Sequence, residues 1–143
     1  MSEIIDKKIQ QIIKTHETTD IFKLIDFLGI ILIYSDLGEN TWGISNVTRR
    51  IKSIIISPHL THPQQLFVLA HELGHCLLHT GISTPVFGRV APRTSFIPQI
   101  EREASEFAIK LLLLGIDDDL RVQMTKYQIL DYFELPYEFE RFI

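Results

Sequence analysis

Apolar residues recur at helical spacing near the start of the chain, where Ile4, Ile5, Ile9, Ile12 and Ile13 predict an amphipathic helix over residues 3 to 15. Thr19 or Asp20 can cap a second helix reaching to Leu28, apolar at Ile21, Leu24, Ile25 and Phe27, with Gly29 to end it. The period then changes. Residues 30 to 34 form a β-branched and aromatic run, and residues 41 to 47 and 52 to 57 predict two further strands joined by a polar turn at residues 48 to 50. Ile54, Ile55 and Ile56 are consecutive, the pattern of a strand covered on both faces. Pro63 opens a long helix that runs to Thr80 and stops at Gly81. Residues 81 to 98 hold Pro85, Pro92, Pro98, Gly81 and Gly88 and show no period, so a long loop of the functional or mobile kind is expected there. Further helices follow over residues 98 to 114 and from a Thr125 cap through Phe133, and Pro136 precedes a last helical turn. Residues 1–143 therefore read as one α+β domain. It is mostly helical, with a small β-sheet of about three strands packed on the helix of residues 63 to 80 and on the helix after it. Its parts are the N-terminal helices and sheet (residues 1–60), the two central helices (61–115) and a C-terminal helical segment (116–143).

Composition changes this picture little. With 45% hydrophobic and 22% charged residues, the chain can bury a core. A formal net charge of −4 argues against a direct nucleic-acid role, and the basic group Arg49, Arg50 and Lys52 falls on the predicted hairpin turn, where solvated charges are ordinary. The single cysteine, Cys76, excludes an intramolecular disulfide. The opening MSEIIDKKIQQ has no apolar signal segment, and no run approaches the roughly 18 apolar residues that span a bilayer. A cytoplasmic protein without membrane contact is expected.

The chemistry lies in the long helix. His71-Glu72-Leu73-Gly74-His75 has the spacing H-E-x-x-H. Residues four apart share one helix face about 6 Å apart along the axis, so two imidazoles can converge on one zinc ion. Glu72 stands beside that face, placed to take a proton from water rather than to ligate. Zinc lowers the pKa of a coordinated water towards about 7 and polarises a carbonyl. Leu66, Leu69, Ala70, Leu73 and Leu77 supply a core stripe on the adjoining face, and Gly74 suits a place where something approaches the backbone closely. His79 continues the row, but eight residues of straight helix put it about 12 Å from His71, too far for one ion. A supporting hydrogen bond or a helix-end role is expected of it.

A catalytic zinc site needs a third protein ligand and one open position. Ile100, Ala104, Phe107, Ala108 and Leu111 make a buried stripe, which Glu101 and Glu103 flank on opposite sides. Glu101 shares its side with Ser105, Ala108 and Leu112, and Glu103 shares its side with Glu106 and Lys110, a solvated charged row. That company favours Glu101 as the third ligand, with Glu103 the alternative. Cys76 reads as a small buried thiol, and His16, His59 and His62 as surface or loop residues. Packing is expected of Tyr127, Tyr132 and Tyr137, whereas Trp42 fits either the core or a substrate contact.

With LFVLAHELGHCLLH at residues 66 to 79 and EREASEFAIKLLL at residues 101 to 113, the chain resembles the ImmA/IrrE family of zinc-dependent peptidases over most of its length. The resemblance implies a cytoplasmic peptidase of the gluzincin type, with zinc held by His71, His75 and Glu101 and Glu72 as general base. It also implies a protein substrate, a transcriptional repressor of the phage or mobile-element kind. The family usually carries Asn or Asp, expected to orient a ligand, where this chain has Ser105, and Met-Pro where it has Leu113-Leu114. An extended substrate is expected to pair with the sheet edge at residues 41 to 47, under the loop of residues 81 to 98. The alternative is a metal-stabilised regulator that binds a repressor or other partner without cutting it. Such a structural site closes with a fourth Cys or His, and none is evident.

Overall fold

The computed structural model describes residues 2–39, 41–79, 99–116 and 118–142. The predicted loop of residues 81 to 98 lies outside them. Helix α1 (Ser2–His16) turns Ile5, Ile9 and Ile12 into the core. Helix α2 (Ile21–Phe27) is capped by the Asp20 carboxylate, which accepts from the backbone N–H groups of Phe22 and Lys23, and the chain leaves it through Gly29 at φ 70°.

Three strands follow: β1 (Ile31–Tyr34), β2 (Gly43–Thr48) and β3 (Ile51–Ile56). Their order is β1-β3-β2, with β1 parallel and β2 antiparallel to the central β3. The β2–β3 turn sets both Arg49 and Arg50 at positive φ, 52° and 70°, the backbone that a two-residue hairpin with native twist requires. Two bulky side chains stand there instead of the usual Asn-Gly, and both are exposed. The expectation that Ile54–Ile56 is covered on both faces needs correction. Ile54 and Ile56 are fully buried, but Ile55 is only partly covered. Ile33 beside it on β1 is exposed, so that outer face is left open to solvent there.

Helix α3 (His62–Leu78) runs through the centre of the molecule. Thr61 and Gln64 close its N-terminus as a reciprocal capping box, and Pro63 sits in its first turn. Every residue from Phe67 to Cys76 is buried, since the sheet covers one side of the helix and α4 (Gln99–Leu113) the other. The α3–α4 crossing depends on Gly74. A Cβ there would stand 3.1 Å from Phe107 Cδ1 and 3.2 Å from the carbonyl oxygen of Ala104.

A short helix α5 (Asp118–Arg121) leads to α6 (Lys126–Tyr132), which has its own capping box from Thr125 and Gln128, and to a 3-10 segment (Tyr137–Phe142). Leu130, Phe133, Leu135 and Phe139 join the core, and Phe139 lies against both Trp42 and Phe67. Trp42 is thereby a partly buried packing residue. The tyrosines depart from expectation: Tyr127, Tyr132 and Tyr137 stand about half exposed. Here α6 gives its buried face to Ile129 and Leu130, so the rings lie over the surface, with Tyr127 donating to Glu140 and Tyr137 to Asp131. Among the described residues no helix is long and apolar enough to cross a membrane.

Candidate metal centre

The helical spacing of His71 and His75 brings their rings together, centroids 4.9 Å apart, facing the first turn of α4. Glu101 enters from that turn. Its Oε1 lies 2.7 Å from His75 Nε2 and 3.5 Å from His71 Nε2. One donor atom from each of the three residues falls within 4.8 Å of the others, the only such group of histidine, cysteine and carboxylate side chains among the described residues. Two features fit a cation. His71 Nε2 is buried without a hydrogen-bond partner, and the donor set of two imidazoles and one carboxylate is one that catalytic zinc takes.

The opposite ring nitrogens are also engaged. His71 Nδ1 is 2.9 Å from Ser105 Oγ, and His75 Nδ1 is 2.9 Å from His79 Nδ1. The second contact continues: His79 Nε2 lies 2.9 Å from Glu103 Oε1, and Gln99 Nε2 donates to Glu103 Oε2 at 3.1 Å. Each imidazole therefore turns Nε2 towards Glu101 and rests Nδ1 on a buried polar partner.

The electrostatics follow from this closeness. Burial works to raise the Glu101 carboxyl, but the His71 and His75 rings beside it, by contact and by charge, outweigh burial and bring the pKa down to about 2. Burial depresses His75 to about 4, because Glu101 offsets only part of the desolvation and the neighbouring His71 and His79 oppose a second charge. Burial also depresses His71, yet Glu101 and Glu72 more than compensate and hold it above its ordinary value. The 2.7 Å contact between His75 Nε2 and Glu101 Oε1 calls for a proton between them, and a cation would replace that proton.

Glu72 is the next residue on α3 and is 0% exposed. Desolvation lifts its pKa to about 8, with His71 and the Ser45 hydroxyl opposing the rise only in part. Neither carboxylate oxygen completes a well-formed hydrogen bond. Strand β2 passes close by, since a Cβ on Gly43 would come within 3.5 Å of Glu72 Cγ and 2.6 Å of Val68 Cγ1.

Two buried histidines and a partly buried glutamate beside a fully buried one suit a metallopeptidase, and the comparison with known proteins agrees. The family described as the IrrE N-terminal-like domain, peptidase M78, matches residues 26–142. The chain belongs to this family. Among its relatives, metallopeptidase ImmA of Bacillus subtilis (strain 168) is 34% identical over 140 residues, which cover 94% of this chain and 80% of that protein. Uncharacterized immunity region protein 2 of Bacillus phage phi105 is 33% identical over 111 residues, 77% of this chain and 68% of that one. No solved structure matches.

For this M78 member, the structure brings His71, Glu72, His75 and Glu101 to one place and leaves the other candidates outside it. His16 stacks on Phe27, His62 on Phe22, and His59 is exposed near Asp36. Cys76 is buried, and burial pushes its thiol up to about 11. The solvated row expected to carry Glu103 is wrong at that residue. Glu103 is 8% exposed, because His79 from α3 and Gln99 one turn earlier on α4 enclose its carboxylate. The sequence reading missed Gln99 and Ser45 altogether. Gln99 carried a signal in its i,i+4 spacing to Glu103, whereas Ser45 on β2 carried none, since only the packing of β2 on α3 brings it to Glu72.

Proposed function

We propose that this chain is a zinc endopeptidase of the cytoplasm that cuts one specific protein, a transcriptional repressor of the phage or mobile-element kind. The convergence of His71 Nε2, His75 Nε2 and Glu101 Oε1 within 4.8 Å carries the reading. The substrate class is supported by the family resemblance and by a relative named for a phage immunity region.

In this reading His71, His75 and Glu101 would hold the ion, with Glu72 beside them on α3. Zinc bound there supplies a Lewis acid for the scissile carbonyl and a water that ionises near neutrality. Glu72 takes the proton of the attacking water and passes it to the nitrogen of the leaving amine. Burial raises the Glu72 pKa to about 8, closer to neutrality, where one carboxyl can both accept and release a proton. Ser105 fixes the ring of His71 by accepting from Nδ1–H, the service that Asn or Asp gives elsewhere in the family. Strand β2 is an edge of the three-stranded order, and an extended substrate segment can add to it as a further strand. Gly43, which brings β2 against Glu72, would set that segment beside the general base.

The test is cleavage of a repressor encoded beside this gene by the zinc-loaded chain, followed by mass spectrometry of the fragments. Glu72→Gln is expected to retain zinc and to cut about 100-fold or more slowly, the usual scale for a lost general base. Cleavage by Glu72→Gln at the wild-type rate would overturn the proposal.

A further inference from the structure

The H-E-x-x-H chemistry leaves a buried polar line unused. From the site it runs through His75, His79, Glu103 and Gln99, across the space between the end of α3 and the start of α4. His75, His79 and Glu103 are all buried. Polar side chains held away from water are costly unless each finds a partner of the right sense, and apolar residues of similar volume would fill the same space at less cost. A role in packing does not account for the polarity.

The directions of the hydrogen bonds follow from the reading of the site on which this inference rests. If His75 offers Nε2 to the metal, that nitrogen carries no proton, so the proton is on Nδ1. His75 Nδ1–H then donates to His79 Nδ1, which must be unprotonated to accept. His79 carries its own proton on Nε2 and donates it to Glu103 Oε1, and Gln99 donates to the other oxygen of the same carboxylate. Every donor meets an acceptor, and no other arrangement of neutral rings both satisfies the line and leaves His75 Nε2 unprotonated for the metal. The backbone assists: His79 is the cap residue of α3, at φ −119° and ψ 42°, out of helical geometry while its N–H still bonds to the His75 carbonyl.

We propose that His79 and Glu103 are positioning residues that hold His75 as its Nδ1–H tautomer with Nε2 turned to the metal. The two histidines of the site are thus oriented differently, His71 by a neutral hydroxyl and His75 by a second imidazole backed by a carboxylate. A ligand so oriented is pre-set and more basic, which raises metal affinity.

The experiment measures zinc affinity by competition with a chromophoric chelator, and folding of each metal-free variant by circular dichroism. His79→Leu preserves volume and removes the hydrogen bonds. His79→Asn loses volume but keeps a carbonyl acceptor near the Nδ1 position. The double variant His79→Leu with Glu103→Leu leaves no buried carboxylate unpaired and stays informative where the single Leu variant does not fold. Folded Leu variants are expected to bind zinc about 10- to 100-fold more weakly, the usual loss for a second-layer partner, with His79→Asn recovering most of it. Nitrogen-15 spectra of the zinc-loaded wild type are expected to show the proton of His75 on Nδ1 and that of His79 on Nε2. Wild-type affinity in the folded double variant, or a better recovery with Leu than with Asn, overturns the relay while the site stands. A wild-type chain that takes up no zinc overturns the site itself, and the relay with it.

Discussion

Glu72 occupies a place where a carboxylate is hard to keep charged, enclosed by α3, β2 and the imidazole of His71. Its folded pKa of about 8 stands above the ordinary 4.5. Between those values the folded chain keeps a proton that the unfolded chain has released, so this residue's contribution to stability falls as pH rises. In chelator, the melting temperature of Glu72→Gln is therefore expected to gain on that of the wild type from pH 5 to pH 8 and to level off above. An advantage constant across the range would show that the site ionises freely. Not every residue could be read this way from the sequence. The histidine spacing and the side of the helix favouring Glu101 were visible in the order of residues. The setting of Glu103 was not, because the partner that buries it, His79, belongs to another helix and reaches it only after α3 ends. Helical spacing sorts residues by face, but it does not say which face a later element will cover.

At the scale of elements, the α3–α4 crossing governs the site, since one helix carries both histidines and the other Glu101 and Ser105. Gly74 sets their separation. Alanine would favour the helix by up to about 1 kcal/mol, but its Cβ would meet Phe107 and the backbone of Ala104 at 3.1 to 3.3 Å, and backbone cannot step aside as a side chain does. Gly74→Ala is expected to destabilise the fold by about 1–3 kcal/mol, the range for overpacking, as read by urea denaturation, and to weaken zinc binding as α4 shifts. Unchanged affinity would mean that the crossing absorbs a methyl group without moving Glu101. Most elements fell within a residue or two of the bounds that the apolar pattern predicts, although the short α5 was not among those predicted. What the pattern left open was partnership. A run of three isoleucines announced a strand, but not that β1 would pair parallel beside it or that the outer face would stay uncovered. The tyrosines of the C-terminal part misled for the same reason: aromatic residues suit a core, yet Ile129 and Leu130 had already filled the buried face of α6.

At the scale of the whole molecule, the site joins parts of the chain that are distant in sequence. His75 and Glu101 are 26 residues apart in sequence and 2.7 Å apart in space. An ion held by both is a removable cross-link: it binds the folded chain and finds no assembled site in the unfolded one. Stability then depends on the free metal concentration through mass action, with about 2.7 kcal/mol gained at a hundred times the dissociation constant. The melting temperature is expected to climb with the logarithm of added zinc in the wild type and to stay flat in Glu101→Ala. Such a protein would report on the metal supply of its cell by how long it lasts: chains starved of zinc would open more often and be degraded sooner, so that abundance, and not turnover alone, would follow the metal.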